Sequence, residues 1–165
     1  MASSVSITAQ INGDTGNLLK RLQKMSAGNR AGILNSIGEG LRTSTIDRFQ
    51  SQTSPEGDRW TPSIRAIQDG GKTLIKTSVL RGSINVESNS NSVTVGTNDI
   101  RAATMQFGDE RTIRAKNSKY LTFKINGQWK RVKEVRVNIP ARPFIGLSDD
   151  DKQEIKETLE DAFNG

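Results

Sequence analysis

The stretch Ile139–Asp151, IPARPFIGLSDDD, joins a basic segment to the last helix of the chain and decides how the backbone turns between them. Pro140 and Pro143 fix their own φ angles and bias the residue before each of them towards extended backbone. Ser148 and the three aspartates after it are typical of a helix start, since the hydroxyl caps free amides and carboxylates suit the positive end of the helix dipole. The pattern predicts a strand-to-helix corner and a helix from Ser148 to Phe163.

The composition excludes much of the usual enzyme chemistry. The chain contains no histidine and no cysteine, so the commonest general base and the commonest transition-metal ligands are missing. The run Gly70-Gly71-Lys72-Thr73 lacks the earlier glycine of a phosphate-binding loop, because position 66 is Ala66. We therefore expect a protein that is not an enzyme and that binds no cofactor and no metal.

Length and hydrophobic content bound the architecture. A chain of 165 residues is expected to form one domain, spanning 1–165. The hydrophobic fraction of 33% indicates a thin core or a core completed by assembly. No apolar run approaches the length of a membrane span, and the N-terminus has no signal-peptide pattern, so we expect a soluble, unsecreted protein without a membrane partner.

Positive charge is concentrated in one segment, 109–138. It holds nine basic and three acidic residues and therefore carries the whole net charge of +6. Such a segment indicates a polyanion partner, although a solvated, self-repelling hairpin has the same composition. The candidate residues for a subunit interface, a partner interface or a DNA channel are the following: Arg111, Arg114, Lys116, Lys119, Lys124, Trp129, Lys130, Arg131, Lys133 and Arg136.

Periodicity predicts the elements of the N-terminal half. Alternation from Val5 to Ile11 predicts a strand that ends at Asn12-Gly13, and Asp14 or Thr15 can cap a helix reaching Met25. After a small-residue break over Ser26–Gly32, a helix is predicted over Ala31–Gln50. The side chains that form its core-facing stripe are Leu34, Ile37, Leu41, Thr45 and Phe49. Gly38 and Gly40 permit close approach of another element or of a subunit.

Turn chemistry and alternation organise the rest of the chain. Ser54–Gly57 predicts a turn, 63–72 a mobile loop and 74–84 a short helix or turn. Residues 84–95 predict a hairpin, and Asp99 a cap for a short helix through Met105. In the basic segment, 109–118 is predicted as a flexible arm, followed by a hairpin of strands 120–125 and 128–137 around Asn126-Gly127.

The order of these elements predicts an α+β fold. It contains a mixed or antiparallel sheet made of two hairpins and an N-terminal strand. We expect that sheet to pack against the long helix and the C-terminal helix.

Four separated groups of residues match the motifs of one protein family in the same order. The pattern F-x-x-Q-x-x-P-x-G-x-x-W-x-P is carried by Phe49, Gln52, Pro55, Gly57, Trp60 and Pro62. The pattern L-x-x-T-G-x-L-R-x-S-I is carried by Leu74, Thr77, Leu80, Arg81, Ser83 and Ile84. The pattern V-G-T-N … Y-A … H-Q-F-G is carried by Gly96, Thr97, Asn98, Ala102, Ala103, Gln106, Phe107 and Gly108. The pattern P-A-R-P-F-L-G is carried by Pro140, Ala141, Arg142, Pro143, Phe144, Ile145 and Gly146.

These motifs make the chain resemble the phage virion morphogenesis, or tail completion, family of contractile-tailed phages of the Mu and P2 type. The C-terminal half is also similar to neck proteins of long-tailed phages. The resemblance covers roughly residues 30 to 155. Ser78, Arg101 and Met105 depart from the glycine, tyrosine and histidine that the family usually has at these positions.

The resemblance implies a non-enzymatic virion protein at the head–tail junction, assembled in the host cytoplasm. It implies a ring of six copies on the tail tube, below the portal and connector proteins. The segment 109–138 would then contact a neighbouring copy, the tail tube or the genome DNA in the channel. The alternative is a basic nucleic-acid-binding protein that acts free in the cell.

Overall fold

The computed structural model describes residues 5–8 and 16–164 and shows an α+β fold, as predicted. Its helices are α1 (Gly16–Lys24), α2 (Ala27–Ser51), α3 (Ile64–Asp69), α4 (Val79–Gly82), α5 (Ala102–Phe107) and α6 (Asp149–Asn164). Its strands are β1 (Val5–Thr8), β2 (Asn85–Ser88), β3 (Val93–Thr97), β4 (Asp109–Arg114), β5 (Leu121–Ile125), β6 (Gln128–Val132) and β7 (Glu134–Ile139). None of the described helices is long and apolar enough to cross a membrane.

The strands divide among three small antiparallel sheets. The main sheet has the order β1-β3-β2, with Val5 opposite Thr97 and Val86 opposite Val95. The predicted hairpin of β2 and β3 is confirmed, and Val93 and Val95 face the core. The predicted extension of β1 to Ile11 and the helix cap at 14 or 15 fall outside the described residues.

Helix α2 is the long helix against which the main sheet and α6 pack. Its core stripe is confirmed, with Ile37, Thr45 and Phe49 buried. The predicted break over 26–32 is confirmed at Ser26 but is wrong over 27–32, because the Oγ of Ser26 accepts a hydrogen bond from the amide of Asn29 and the helix begins at Ala27. One residue with an N-cap side chain therefore outweighs the low helix propensity of the small residues after it.

Gly38 allows β2 and β3 to lie directly on α2. A β-carbon at Gly38 would collide with Cγ1 of Val86 and lie 2.6 Å from Cγ2 of Val93. A β-carbon at Gly40 would lie 2.8 Å from Oε1 of Glu154 on α6. Intramolecular packing therefore accounts for Gly38, whereas Gly40 faces only the end of a flexible side chain, which can move away.

We expect Gly38→Ala and Gly32→Ala to change stability in opposite directions. The added methyl at Gly38 overpacks the sheet contact, which costs about 1–3 kcal/mol. The same change at Gly32 meets open space within the helix and should stabilise the fold by up to about 1 kcal/mol. Urea unfolding of both variants measures the difference. If Gly38→Ala were the more stable variant, the close approach of α2 and the main sheet would be wrong.

Two predictions for the connecting segments are wrong. Residues 64–69 are the helix α3 instead of part of a mobile loop, because Oγ of Ser63 caps Ala66 N and the guanidinium of Arg65 binds the carbonyls of Gly70 and Lys72. Asp99 does not occupy the N-cap of α5, which is Arg101. Instead, the carboxylate of Asp99 accepts hydrogen bonds from the backbone amide and the guanidinium of Arg101.

The basic segment folds differently from its prediction. Residues 109–114 are strand β4, which pairs along its whole length with β7, so the predicted flexible arm is wrong there. The predicted strand 128–137 breaks at Lys133 into β6 and β7, which belong to separate sheets. The turn prediction at Asn126-Gly127 is confirmed, since both residues have positive φ, as a two-residue hairpin turn requires.

Helix α6 begins where the sequence predicted. Oγ of Ser148 accepts a bond from Asp151 N, and Oδ2 of Asp151 accepts one from Ser148 N. This reciprocal pair closes the helix start as a capping box does. Leu159 then anchors the helix in a core cluster with Leu22, Ile37 and Val93.

Candidate functional site

The family motifs meet in one aromatic cluster, which we call the motif core: Phe49, Trp60 and Phe144. The ring of Phe49 contacts Trp60 edge-on at 5.5 Å between centroids and contacts Phe144 at 5.3 Å. Phe49 and Phe144 are completely buried. Two motifs that are far apart in the sequence therefore form one packing unit, as aromatic pairs at these distances favour.

Two side chains fix the backbone of the 139–146 stretch against the motif core. Trp60 Nε1 donates to the carbonyl of Pro143 at 2.9 Å. Oε1 of Gln106 accepts from the amides of Phe144 and Ile145, and its Nε2 donates to the carbonyl of Ile145. Gln106 thus supplies the partners that two consecutive buried peptide groups need, because unpaired buried backbone groups are costly.

The motif around Gln52 shapes the turn after α2. Gln52 ends the helix with φ of 63°. Its Oε1 accepts a hydrogen bond from the backbone amide of Thr73, and its Nε2 donates one to the carbonyl of Thr73. Pro55 is buried against Gly146, where a β-carbon would collide with the proline ring. Gly57 has φ of 91° and its amide bonds Ser54 O, so the predicted turn is confirmed.

A buried ion pair that sequence reasoning missed connects α2 to α6. Arg48 lies 6% exposed and Asp151 3% exposed, and the guanidinium of Arg48 donates to the carboxylate of Asp151. Arg48 also donates to the carbonyls of Phe144 and Gly146. Burial raises the pKa of Asp151, but bonds from Ser44 and Ser148 and the charge of Arg48 outweigh it, so the net pKa is lowered.

The middle motifs support the main sheet. Leu80 is buried, and Oγ of Ser83 shares a hydrogen bond with Oγ1 of Thr97 at 2.6 Å. Gly96 lies in β3 opposite Ser6 and Asn85. Ser78 has φ of 54°, a left-handed conformation that explains why the family usually has glycine there. Met105 packs on the edge of the motif core.

Phe107 and Gly108 behave differently from the other motif residues. Gly108 has φ of 76°, and a β-carbon there would lie 2.8 Å from the carbonyl oxygen of Ile139. Phe107 is 71% exposed, so its ring contributes little to the core. Pro140 is half-buried beside this contact, and Arg142 is buried, with Nε bonded to Thr61 O.

The ten candidate residues of the basic segment fall into two groups. The arginines of the β4–β7 ribbon are paired: Arg111 with Asp109, Arg114 with Glu134 and Arg136 with Glu110. Because each of the three has a carboxylate beside it, the ribbon neutralises its own charge. Exposed pairs of this kind add little stability but reduce the field that a distant partner feels.

The remaining positive charge lies on what we call the basic hairpin, residues 115–133, which contains β5 and β6. It holds six basic and no acidic residues, and none of the six forms an ion pair with any described residue. All are exposed, as is Trp129 at 70%: Lys116, Lys119, Lys124, Lys130, Arg131 and Lys133. The six equal the net charge of the whole chain.

The chain belongs to the phage virion morphogenesis family, whose profile matches residues 13–164. This places the chain among phage structural and morphogenesis proteins. It is 30% identical over 145 residues to Mu-like prophage FluMu G protein 2 of Haemophilus influenzae strain Rd, a match that covers 88% of this chain and 86% of that relative. No solved structure matches the chain.

Proposed function

We propose that this chain is a structural virion protein that forms a ring of six copies at the phage head–tail junction. The ring caps the tail tube and joins it to the connector proteins of the head around the DNA channel. Membership of the virion morphogenesis family supports the class of function. The basic hairpin is the single observation that carries the position, because six unneutralised cations attract the phosphates of any DNA sequence.

The hairpin presents its charged side chains to solvent, where a partner can contact them. The neutral β4–β7 ribbon connects it to the motif stretch at 139–146. Among the described residues, the hairpin makes one side chain–side chain hydrogen bond to the rest of the chain, from Gln68 to Asn126 at its tip. Trp129 lies among the lysines with most of its ring exposed. An exposed aromatic beside cations suits a phosphate backbone with accessible bases, or a protein surface of the tube.

Removing charge from the hairpin should prevent head–tail joining without unfolding the protein. The variant Lys116, Lys119, Lys124 and Lys130→Gln removes four exposed cations, and we expect joining in complemented lysates to fall at least about tenfold. If the hairpin touches duplex DNA, the slope of log affinity against log salt becomes shallower by about four. The matched control changes four exposed lysines elsewhere to Gln: Lys20, Lys24, Lys152 and Lys156.

Localisation tests the proposed function directly. Negative-stain microscopy of virions labelled at the C-terminus of this chain should place the label at the neck. Microscopy of the purified protein should show rings, and its mass should correspond to six copies. Equal joining by the hairpin variant and its control would remove the role of the hairpin. A chain that is absent from virions but binds duplex DNA at moderate salt would instead be the free nucleic-acid-binding protein.

A further inference from the structure

A positively charged recess lies outside the motif core, on the side formed by α3, α4 and α5. Its volume is about 270 Å³, and its lining residues include no carboxylate. Four cationic side chains line it: Arg65, Lys76, Arg101 and Arg142. Of these, Arg101 is neutralised by Asp99, while Arg65 is bound to backbone carbonyls.

Arg142 is the buried cation of this recess. The residue is 5% exposed, and burial lowers its pKa because no described carboxylate lies beside it. Its Nε donates to Thr61 O, the one side-chain bond it makes to a described residue. Every fully buried polar side-chain atom in the described part of the chain has a partner. The terminal nitrogens of Arg142, which have no partner among the described residues, therefore reach the recess, where they can donate to an oxyanion.

The surroundings of the recess favour a protein partner over nucleic acid. Ile64, Val79 and Ile100 each adjoin a lining residue in the sequence, and they are 71%, 54% and 74% exposed. Exposed apolar side chains around a charged centre are typical of protein interfaces, whereas protein–DNA interfaces are more polar. These surroundings therefore favour a carboxylate carried by a protein over a nucleic-acid phosphate.

The same chain presents free carboxylates on another surface, which we call the acidic groove. It lies between α2 and the first turn of α6, has a volume of about 520 Å³ and is lined by Asp47, Asp150 and Glu154. The carboxylates of Asp47 and Asp150 are exposed and have no partner among the described residues. The acidic groove and the recess share no lining residue, so one copy can use both at once.

We propose that the recess binds a carboxylate from the acidic groove of a second copy, with Asp150 or Asp47 reaching Arg142 and Lys76. Arg142 and Asp150 lie at opposite ends of one stretch, with Phe144 buried between them. The recess and the acidic groove are different surfaces of one copy, and a head-to-tail contact between them, when repeated, closes a ring if the rotation between copies allows it. The inference rests on the proposed ring and names the surfaces that form it.

Charge reversal on each surface tests the proposal. The recess variant is Lys76→Glu with Thr77→Glu, two exposed lining residues, and the groove variant is Asp47→Lys with Asp150→Lys. Each should assemble only at a concentration at least about a hundredfold higher than the wild type, since like charges then face each other. Mixed in equal amounts, the two variants should form assemblies that contain both, because each retains the surface that the other has lost.

The controls separate this inference from the proposed function. Lys20→Glu with Gln23→Glu changes the charge by the same amount on exposed positions of α1 and should assemble like the wild type. Wild-type rings together with unimpaired assembly of both variants would overturn the inference and leave the ring in place. A wild type that stays monomeric in solution and on isolated tails would overturn both. Weaker duplex binding by the recess variant, with normal assembly, would assign the recess to phosphate.

Discussion

Asp151→Ala is expected to lower the free energy of unfolding by about 3–5 kcal/mol, because it leaves the guanidinium of Arg48 buried without its carboxylate. The substitution also removes the acceptor that holds the amide of Ser148 at the start of α6. Asp150→Ala is the matched control. It changes the next residue of the same helix turn, which is exposed, and should alter stability by less than about 0.5 kcal/mol.

The pH dependence of stability provides a second measurement of the same pair. The folded-state pKa of Asp151 lies below its ordinary value of 3.8. The ion pair therefore stabilises the fold fully above that pH and loses its effect as the pH falls through the lower folded-state value. Urea unfolding at pH 7 should separate the wild type from Asp151→Asn, and the difference should narrow below pH 3.8. A difference that stays constant with pH would contradict the proposed role of the charge.

A double variant distinguishes the cost of an unpaired charge from the worth of the pair. Arg48→Met with Asp151→Leu removes both charges, and we expect it to recover only part of the stability that Asp151→Ala loses, because the carbonyls of Phe144 and Gly146 and the amide of Ser148 lose their partners. The pair then serves to align three parts of the chain. Arg48 on α2 binds Asp151 on α6 and also the carbonyls of Phe144 and Gly146 in the 139–146 stretch.

The sequence predicted elements whose signals are local. The stripe of α2 repeats at helical spacing over several turns, and Asn126-Gly127 is the residue pair that a two-residue hairpin turn requires. Ser148 predicted the start of α6 because its side chain acts on amides only a few residues away. In each case the residues that determine the structure lie within one window of the chain.

Three of the misjudged features have determinants that are distant in the sequence or weak. Helix α3 has only six residues, and Ile64 and Ile67 are exposed, so no apolar periodicity marks it. Strand β7 pairs with β4, whose residues lie 20 to 30 positions earlier, and no typical turn residue marks the break at Lys133. Arg48 and Asp151 are 103 positions apart, and an arginine on a helix is ordinarily expected to face water.

The candidate residues of the basic segment illustrate the same limit. Their number and sign follow from composition alone, but which cations remain unpaired depends on strand register. Arg114 meets Glu134, and Arg136 meets Glu110, because β4 and β7 are antiparallel with Arg114 opposite Glu134 and Glu110 opposite Asn138. The register thus divides one charged segment into a neutral ribbon and the basic hairpin.

Phe144→Ala is expected to lower the free energy of unfolding by about 3–5 kcal/mol. Phe144 is completely buried and contacts Phe49, so truncation removes buried apolar surface and leaves a cavity inside the motif core. The backbone around Phe144 is fixed by Gln106 and Arg48, which limits how far the surroundings can collapse into that cavity.

Phe107→Ala is the matched control for this prediction, since Phe107 is also an aromatic residue of the family motifs but is 71% exposed. We expect it to change stability by less than about 0.5 kcal/mol. Urea unfolding monitored by tryptophan fluorescence measures both variants, because Trp60 lies within the motif core. Equal destabilisation by the two variants would contradict the division of the motifs into a buried packing unit and an exposed aromatic. A large loss at Phe144 alone would show that the stretch 139–146 is held by packing as well as by its two prolines.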